Sequence, residues 1–321
     1  MTSFLRLAAY RLDDVTRDLL GKELIERVAE HTLDSDADEA ILAGIGAHAL
    51  SRYLPGEILR GIQIFCASGH HCLLLRNLPG QPFPDTPVSG FARESHLGVV
   101  NALHFGLVQL LGLVPYAVDY ENDGRLMRNV VPNPAAAGIT SSWGADAEFS
   151  WHTDNPHLPF GAAGMDPRPY IPRFLTFYAV RNEELVPTEV VALADIVATL
   201  DESTLHELRS AHFSAGAPAS NDTGALREGG RLDRTALLES AGERGQEWAR
   251  FDAGTTRGLN DRARAALAVW QNALDAAEGR QFVLESRDFL IFDNYRVLHR
   301  RRAFTPGPQA GARWLRRCYA S

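Results

Sequence analysis

The sequence predicts an α+β domain in which helices surround a β-sandwich or jelly-roll core. Helical apolar spacing dominates the early part of the chain, short apolar strands with Pro and Gly turns dominate from Leu126 onward, and helical patterns return among those strands. Helices packed on many short strands are typical of such layered folds. With 321 residues and 45% hydrophobic content, the chain can bury a large core within one domain spanning residues 1–321.

The individual elements follow from periodicity in chain order. Early helices are expected at 14–33, 37–53 and 92–112, and a first strand at 70–76, closed by Pro79-Gly80. Further helices are expected at 195–211 and 261–277. Later strands are expected at 126–131, 148–152, 174–181, 189–192, 281–285, 289–292 and 314–319.

The chain divides into a helical part at about 1–112 and a jelly-roll core at about 113–321. Within the core, residues 213–260 are rich in Gly, Ala, Asp and Arg and show little periodicity. A loop of that length in a compact domain is usually functional or disordered. We therefore expect an irregular segment that serves as a candidate lid over the active site.

Composition bears on the classes of partner. The formal charge of −8 and the pI of about 5.8, with mixed charges, argue against nucleic acid. No apolar run approaches the roughly 20 residues of a membrane span, and charged residues interrupt the N-terminus, so a signal peptide is not expected. Three scattered cysteines, Cys66, Cys72 and Cys318, are typical of a reduced cytoplasmic protein with buried thiols.

A candidate metal site is carried by His152-Thr153-Asp154 and His299. Of the 11 histidines, only His152 has an acidic residue two positions on. Positions two apart on a strand share a face, so His152 and Asp154 can reach one metal. Two imidazoles and one carboxylate are the protein ligands of non-heme Fe(II) oxygenases, and they leave positions for a co-substrate and O2. The alternative is a surface His beside a solvated Asp.

Several short motifs, in this order and spacing, resemble the clavaminate synthase-like branch of Fe(II)/2-oxoglutarate-dependent oxygenases. That branch includes arginine and asparagine hydroxylases, and the taurine dioxygenases are more distant relatives. The motifs are GRL at 124–126, NVVP at 129–132, WHTD at 151–154, YAVRN at 178–182, FDNYR at 292–296 and RWLRR at 313–317.

The resemblance implies a double-stranded β-helix that holds Fe(II) through His152, Asp154 and His299. It also implies that Arg313, with Thr188, binds the distal carboxylate of the co-substrate 2-oxoglutarate. An Arg is suited to this role because its planar fork matches a carboxylate bidentately. The alternatives are a solvated basic C-terminus for Arg313 and ordinary strand packing for Thr188.

Substrate contacts are implied in the same way. Arg317 and Ser142 match residues that hold the α-carboxylate of an amino acid, Glu121 lies where the α-amine is contacted, and Asp252 lies where arginine hydroxylases read the guanidinium. Ser142 and Glu121 are equally compatible with ordinary turn positions. Close relatives usually have Glu at the position of Asp154, and the shorter side chain of Asp154 leaves more room beside the iron. Because the residue is not Gly or Ala, a halogenase is not expected.

The expected activity is hydroxylation of an aliphatic C–H of a free L-amino acid, with a basic side chain favoured, or of an amino-acid derivative, in specialised metabolism. Fe(II), 2-oxoglutarate and O2 are the expected cofactor and co-substrates. Desaturation, cyclisation or a carrier-protein-bound substrate would use the same residues. From other classes, a non-catalytic metal-binding β-barrel that senses a ligand and a zinc hydrolase remain alternatives, although no His-Glu-x-x-His motif is present.

Overall fold

The computed structural model describes residues 3–31, 33–34, 36–118, 120–138, 140–161, 170–217, 230–241 and 246–321. The helices are α1 (Asp14–Ala29), α2 (Glu39–Tyr53), α3 (Gly56–Ser68), α4 (Gly98–Leu110), α5 (Leu193–Val197), α6 (Glu202–Leu208) and α7 (Asp261–Asp275). The strands are β1 (Leu7–Arg11), β2 (Cys72–Arg76), β3 (Pro115–Tyr116), β4 (Met127–Val130), β5 (Phe149–His152), β6 (Phe174–Arg181), β7 (Thr188–Ala192), β8 (Phe213–Gly216), β9 (Arg231–Thr235), β10 (Leu238–Ala241), β11 (Gln246–Ala249), β12 (Thr256–Gly258), β13 (Arg280–Phe282), β14 (Phe289–Asp293), β15 (Val297–Arg301) and β16 (Trp314–Ala320).

Local chemistry explains where the N-terminal helices begin and how they pack. Asp13 caps α1, because its carboxylate accepts a hydrogen bond from the amide of Thr16 at 2.8 Å. Helices α2 and α4 cross at Gly46, where an added Cβ would lie 1.8 Å from the carbonyl oxygen of Ala102. Only glycine permits such a close backbone approach, so this helix pair depends on it.

Two sheets form the centre of the fold. The larger sheet has the order β1-β2-β14-β6-β16-β3, and β4 also pairs with β16. Its β1–β2 pair is parallel, whereas β14 and β16 pair with their neighbours in antiparallel fashion. The smaller sheet has the order β13-β7-β15-β5 and is antiparallel. The predicted α+β class is confirmed.

Alternation along β16 shows how the layers are arranged. Leu315 and Tyr319 join an apolar cluster that also contains Val190 and Val297 of the smaller sheet. Trp314 and Cys318 join the cluster formed with helices α1 to α4. Because successive strand side chains point to opposite faces, the odd-numbered residues of β16, Arg317 included, point between the two sheets. Helices α5 to α7 cover the outer face of the smaller sheet.

Several expected boundaries are corrected. Helix α3 and strands β1 and β15 were not predicted, and β1 ties the N-terminal part to the larger sheet through its pairing with β2. The helix expected at 195–211 divides into α5 and α6, because Asp201 caps a new helix by accepting from the amide of Thr204 at 2.8 Å.

The expectation of an irregular loop at 213–260 is wrong for its described residues. They form a sheet of order β12-β8-β9 and the β10–β11 hairpin. Tertiary pairing outweighed the weak local pattern of these strands. Residues 218–229 and 242–245 of the candidate lid lie outside the described residues, so closure over the site remains a prediction.

Two further expectations concern the thiols and the membrane. Cys72 and Cys318 are buried and Cys66 is half-buried, and all three are free thiols. Within the described part of the chain, no helix combines the length and apolar character needed to cross a membrane.

Candidate active site

The predicted metal ligands meet on neighbouring strands of the smaller sheet. His152 of β5 and His299 of β15 are direct partners in the ladder, and Asp154 follows β5 by two residues. Oδ1 of Asp154 lies 3.2 Å from Nε2 of His152 and 3.4 Å from Nε2 of His299. The ligand atoms of all three buried residues lie within 4.8 Å of one another.

The protonation of this cluster suits a divalent metal. Nδ1 of His152 contacts the carbonyl oxygen of Ser150 at 2.7 Å, and because a carbonyl only accepts, Nδ1 carries the proton. In a neutral imidazole with its proton on Nδ1, Nε2 carries the lone pair, and this Nε2 lies 3.2 Å from Oδ1 of the Asp154 carboxylate. Burial, and secondarily His152, lower the pKa of His299 to about 4. Two electron-rich groups facing each other indicate a cation between them, and these residues fit one.

The other oxygen of Asp154 is held from behind. Oδ2 accepts from Nη1 of Arg317 at 3.0 Å and from the hydroxyl of Tyr319 at 3.0 Å. Burial alone would raise the pKa of Asp154, but its polar neighbours, the Arg317 guanidinium among them, outweigh burial and keep the pKa well below its usual range. Asp154 is therefore an ionised carboxylate with one oxygen directed at the histidines.

Glu121 completes a buried charge network next to Asp154. Its carboxylate accepts from Arg317 and lies 3.3 Å from Nη1 of Arg128, and its Oε2 lies 2.8 Å from the Tyr319 hydroxyl, whose single proton it shares with Asp154. Burial would raise the pKa of Glu121, but Arg317 and Arg128 outweigh it and lower the pKa. Two carboxylates and two guanidinium groups thus balance in charge.

One pocket brings most of the predicted residues together. Besides the metal ligands, it is lined by Thr188, Arg313, Arg317 and Ser142. Ser142 accepts a hydrogen bond from Nε of Arg128 at 3.0 Å. Asp252 does not line this pocket: its backbone bridges to His152, and its carboxylate accepts from the amide of Gly254 at 2.9 Å.

Arg313 is a buried cation without an anionic partner. Its guanidinium has no carboxylate within ion-pair distance in the described ranges, although its backbone amide donates to Glu184 at 3.2 Å. Burial, then repulsion by Arg301, lower the pKa of Arg313 to about 9. An unpaired buried charge is costly, so this end of the pocket favours an anionic ligand.

Arg301, which lines the same pocket, had not been predicted as a site residue. Its guanidinium donates to the carbonyl oxygens of Ala145 at 3.1 Å and Ala147 at 3.2 Å, and it also contacts those of Ser141 and Gly144. Arg301 therefore fastens segment 141–147, which contains Ser142, to the pocket wall.

Sequence reasoning also missed Arg128 and Tyr319. A signal for Tyr319 was present, because it follows Arg317 by two positions and so shares its face of the strand. Arg128 gave no comparable signal, since its contact with Glu121 depends on how β4 pairs with β16. Residues of the site could therefore be predicted where a local pattern marks them, and they were missed where only strand pairing brings them to the site.

Known proteins with similar sequences are amino-acid oxygenases. An enduracididine beta-hydroxylase from Streptomyces hygroscopicus is 27% identical over 217 residues, which span 61% of this chain and 60% of that protein. An L-lysine 3-hydroxylase from Catenulispora acidiphila is 24% identical over 92% of this chain and 80% of its own length. An L-asparagine oxygenase from Streptomyces coelicolor is 26% identical over 95% of this chain and 89% of its own length.

Solved structures show the same fold. Asparagine oxygenase in complex with Fe(II), hydroxyasparagine and succinate superposes with a TM-score of 0.81 at 22% identity, covering 97% of this chain and 92% of that one. The non-heme iron oxygenase OrfP in complex with Fe and alpha-ketoglutaric acid gives 0.79 at 22% identity, covering 98% and 93%. Residues 240–319 match the model of the family described as taurine catabolism dioxygenase TauD, TfdA family, and the resemblance predicted from the motifs is confirmed.

Proposed function

We propose that this protein is an Fe(II)/2-oxoglutarate-dependent oxygenase that hydroxylates an aliphatic C–H of a free L-amino acid. The observation that carries the proposal is the unpaired, buried Arg313 in the same pocket as the triad of His152, Asp154 and His299. A metal-binding sensor has no need of this anion site. A zinc hydrolase needs a general base. Asp154 is the one carboxylate among the described pocket-lining residues, and because it is assigned to the metal, no carboxylate remains to act as that base.

Within this proposal the triad holds iron, and Arg313 with Thr188 binds the far carboxylate of 2-oxoglutarate. When bound, iron and 2-oxoglutarate supply the oxidising chemistry: O2 gives one oxygen atom to the substrate and one to succinate, and CO2 is released. The chain itself contributes placement. Its two imidazoles offer nitrogen lone pairs to the metal, and its buried cation orients the co-substrate.

In this proposal, the charged groups of the substrate replace the existing ion pair between Glu121 and Arg317. Arg317, helped by Ser142, takes the α-carboxylate, and Glu121 takes the ammonium group. A zwitterion brings the same two charges that Glu121 and Arg317 now offer each other, so no buried charge is left unpaired by the exchange. Relatives named for enduracididine, lysine and asparagine support an amino-acid substrate.

A basic side chain is proposed because Asp252 lies beside His152 in the backbone ladder. An Asp252→Asn variant tests this part. We expect its KM to rise for lysine, ornithine or arginine and to stay unchanged for neutral amino acids. If KM is unchanged for both basic and neutral amino acids, Asp252 does not contact the substrate side chain and only caps its turn.

We further infer that the two sheets form a double-stranded β-helix. The apolar cluster shared by the larger and smaller sheets and the superposition on asparagine oxygenase support this topology. A jelly-roll scaffold is rigid at its strand ends and presents ligands from neighbouring strands, as His152 and His299 require.

The direct test is turnover. The purified protein is incubated with Fe(II), ascorbate, 2-oxoglutarate and single free L-amino acids, and succinate and product mass are measured. We expect substrate-dependent succinate and a product that gains one oxygen atom. Loss of two hydrogens instead would indicate desaturation or cyclisation. Turnover only with carrier-bound substrates would overturn the proposal that the substrate is a free amino acid. If the protein consumes no 2-oxoglutarate with any substrate, the proposed oxygenase activity is wrong.

A further inference from the structure

We propose that Tyr319 is a positioning residue that fixes the metal-ligand carboxylate of Asp154 in a one-oxygen orientation. The inference rests on the proposed metal site and goes beyond it, because it assigns a role to a residue that does not itself face the metal position.

The two oxygens of Asp154 have different surroundings. Oδ1 faces the Nε2 atoms of both histidines at 3.2 and 3.4 Å. Oδ2 receives two donors, the hydroxyl of Tyr319 at 3.0 Å and Nη1 of Arg317 at 3.0 Å. With Oδ2 occupied, the carboxylate cannot rotate to present both oxygens to one metal. Donors that hold the rear of a ligand carboxylate tune its geometry and affinity.

The position of the Tyr319 hydroxyl is set by the sheet. Tyr319 lies on β16 between its ladder partners Leu175 of β6 and Tyr116 of β3. Its ring is buried and lies 4.0 Å from the guanidinium carbon of Arg317. Close packing of the buried ring holds its hydroxyl at the rear of Asp154.

Arg317 does not make Tyr319 redundant. Arg317 is shared between Asp154 and Glu121, and under the proposed function it also binds the substrate carboxylate. The single hydroxyl proton of Tyr319 is shared between Oδ2 of Asp154 and Oε2 of Glu121, which lies 2.8 Å away, and under the proposed function the substrate ammonium takes over Glu121 and leaves this proton to Asp154. Tyr319 is therefore the donor to Asp154 that remains when Arg317 turns to the substrate.

The test uses Tyr319→Phe, which keeps the ring and removes the hydroxyl, with Tyr116→Phe as the matched control. The ring of Tyr116 lies 6.1 Å from that of Tyr319, and its hydroxyl donates to the carbonyl of Tyr170 at 3.1 Å, away from Asp154. Mn(II) affinity is measured by titration calorimetry on the full chain after chelator treatment. We expect a loss of about tenfold for Tyr319→Phe and less than twofold for the control.

A second readout does not depend on stability. At saturating Co(II), the visible spectrum reports ligand geometry, and we expect it to change in Tyr319→Phe and not in Tyr116→Phe. Unchanged Mn(II) affinity together with an unchanged Co(II) spectrum would overturn the inference. If His152→Ala binds Mn(II) as well as the wild type, the metal site itself is wrong, and that failure is distinct from a failure of Tyr319 alone.

Discussion

Glu121, which does not itself line the pocket, is hydrogen-bonded to the pocket-lining Arg317, although the family resemblance assigns the two residues to opposite charges of an amino acid. Both side chains are buried, and separating them without a replacement would leave two uncompensated charges. A zwitterionic substrate is such a replacement, whereas an uncharged amide or ester is not. Under the proposed function, the pair therefore favours substrates that carry both an ammonium group and a carboxylate.

Replacing Glu121 with Gln should weaken amino-acid binding, because a neutral amide cannot balance the ammonium charge. We expect KM for the amino acid to rise at least tenfold, which corresponds to about 1.4 kcal/mol, with little change in KM for 2-oxoglutarate. Steady-state kinetics measure both. The exposed neighbour variant Asp123→Asn is the control, and equal behaviour of the two variants would contradict the role of Glu121.

Replacing Arg313 with Ala should weaken binding of 2-oxoglutarate specifically. Removing one partner of a desolvated, charge-assisted pair costs a few kcal/mol, on the order of a hundredfold in affinity. Calorimetric titration of 2-oxoglutarate into the Mn(II)-loaded protein measures it. Arg302→Ala is a suitable control, because that side chain is largely exposed and pairs with Glu189. If the affinity of Arg313→Ala for 2-oxoglutarate is unchanged, Arg313 does not bind the far carboxylate of the co-substrate.

Replacing Arg301 with Lys should loosen segment 141–147. Lys keeps the charge but lacks the planar fork that contacts several carbonyl oxygens at once. Amide hydrogen exchange across 141–147 should accelerate, and 2-oxoglutarate affinity should fall by several-fold, on the order of 1 kcal/mol. The adjacent variant Arg302→Lys should leave both unchanged. Normal exchange in Arg301→Lys would show that the segment is held by other contacts.

Acid should destabilise the protein in part through His104. Its Nε2 lies 2.7 Å from Oγ1 of Thr176, and burial lowers its pKa to about 3. Because the unfolded state has a His pKa of about 6.5, only that state takes up a proton as the pH falls below this value. Protonation of this residue in the unfolded state should lower the free energy of unfolding by about 2 kcal/mol between pH 7 and pH 5.

Urea unfolding at the two pH values, for wild type and His104→Gln, measures that contribution. Gln can still donate to Thr176 but does not titrate, so the variant should lose about 2 kcal/mol less than the wild type on acidification. The exposed residue His96, changed to Gln, is the control. An identical pH dependence of wild type and His104→Gln would contradict the buried neutral state.

The sequence by itself determined the features that follow a local period. Alternation marked β5, an apolar run marked β14, helical spacing marked α1, α2, α4 and α7, and the His-x-Asp spacing marked two of the candidate metal ligands. The roles of Arg313 and Arg317 were instead implied by the family resemblance, and their spacing of four positions only places them on one face of a strand. Local patterns fail where pairing decides: the strands of 213–260 have little alternation of their own, and they exist because they pair with each other.

Only the tertiary structure decided which distant residues meet. Glu121 reaches Arg317 and Tyr319 because β4 and β3 both flank β16, and Arg301 reaches segment 141–147 because β15 pairs with β5. Sheet register joins residues far apart in the chain, and a shift of one position would turn each side chain to the opposite face. The ligands of the site could therefore be predicted from the sequence, whereas the residues that hold those ligands in place were set by the pairing of strands.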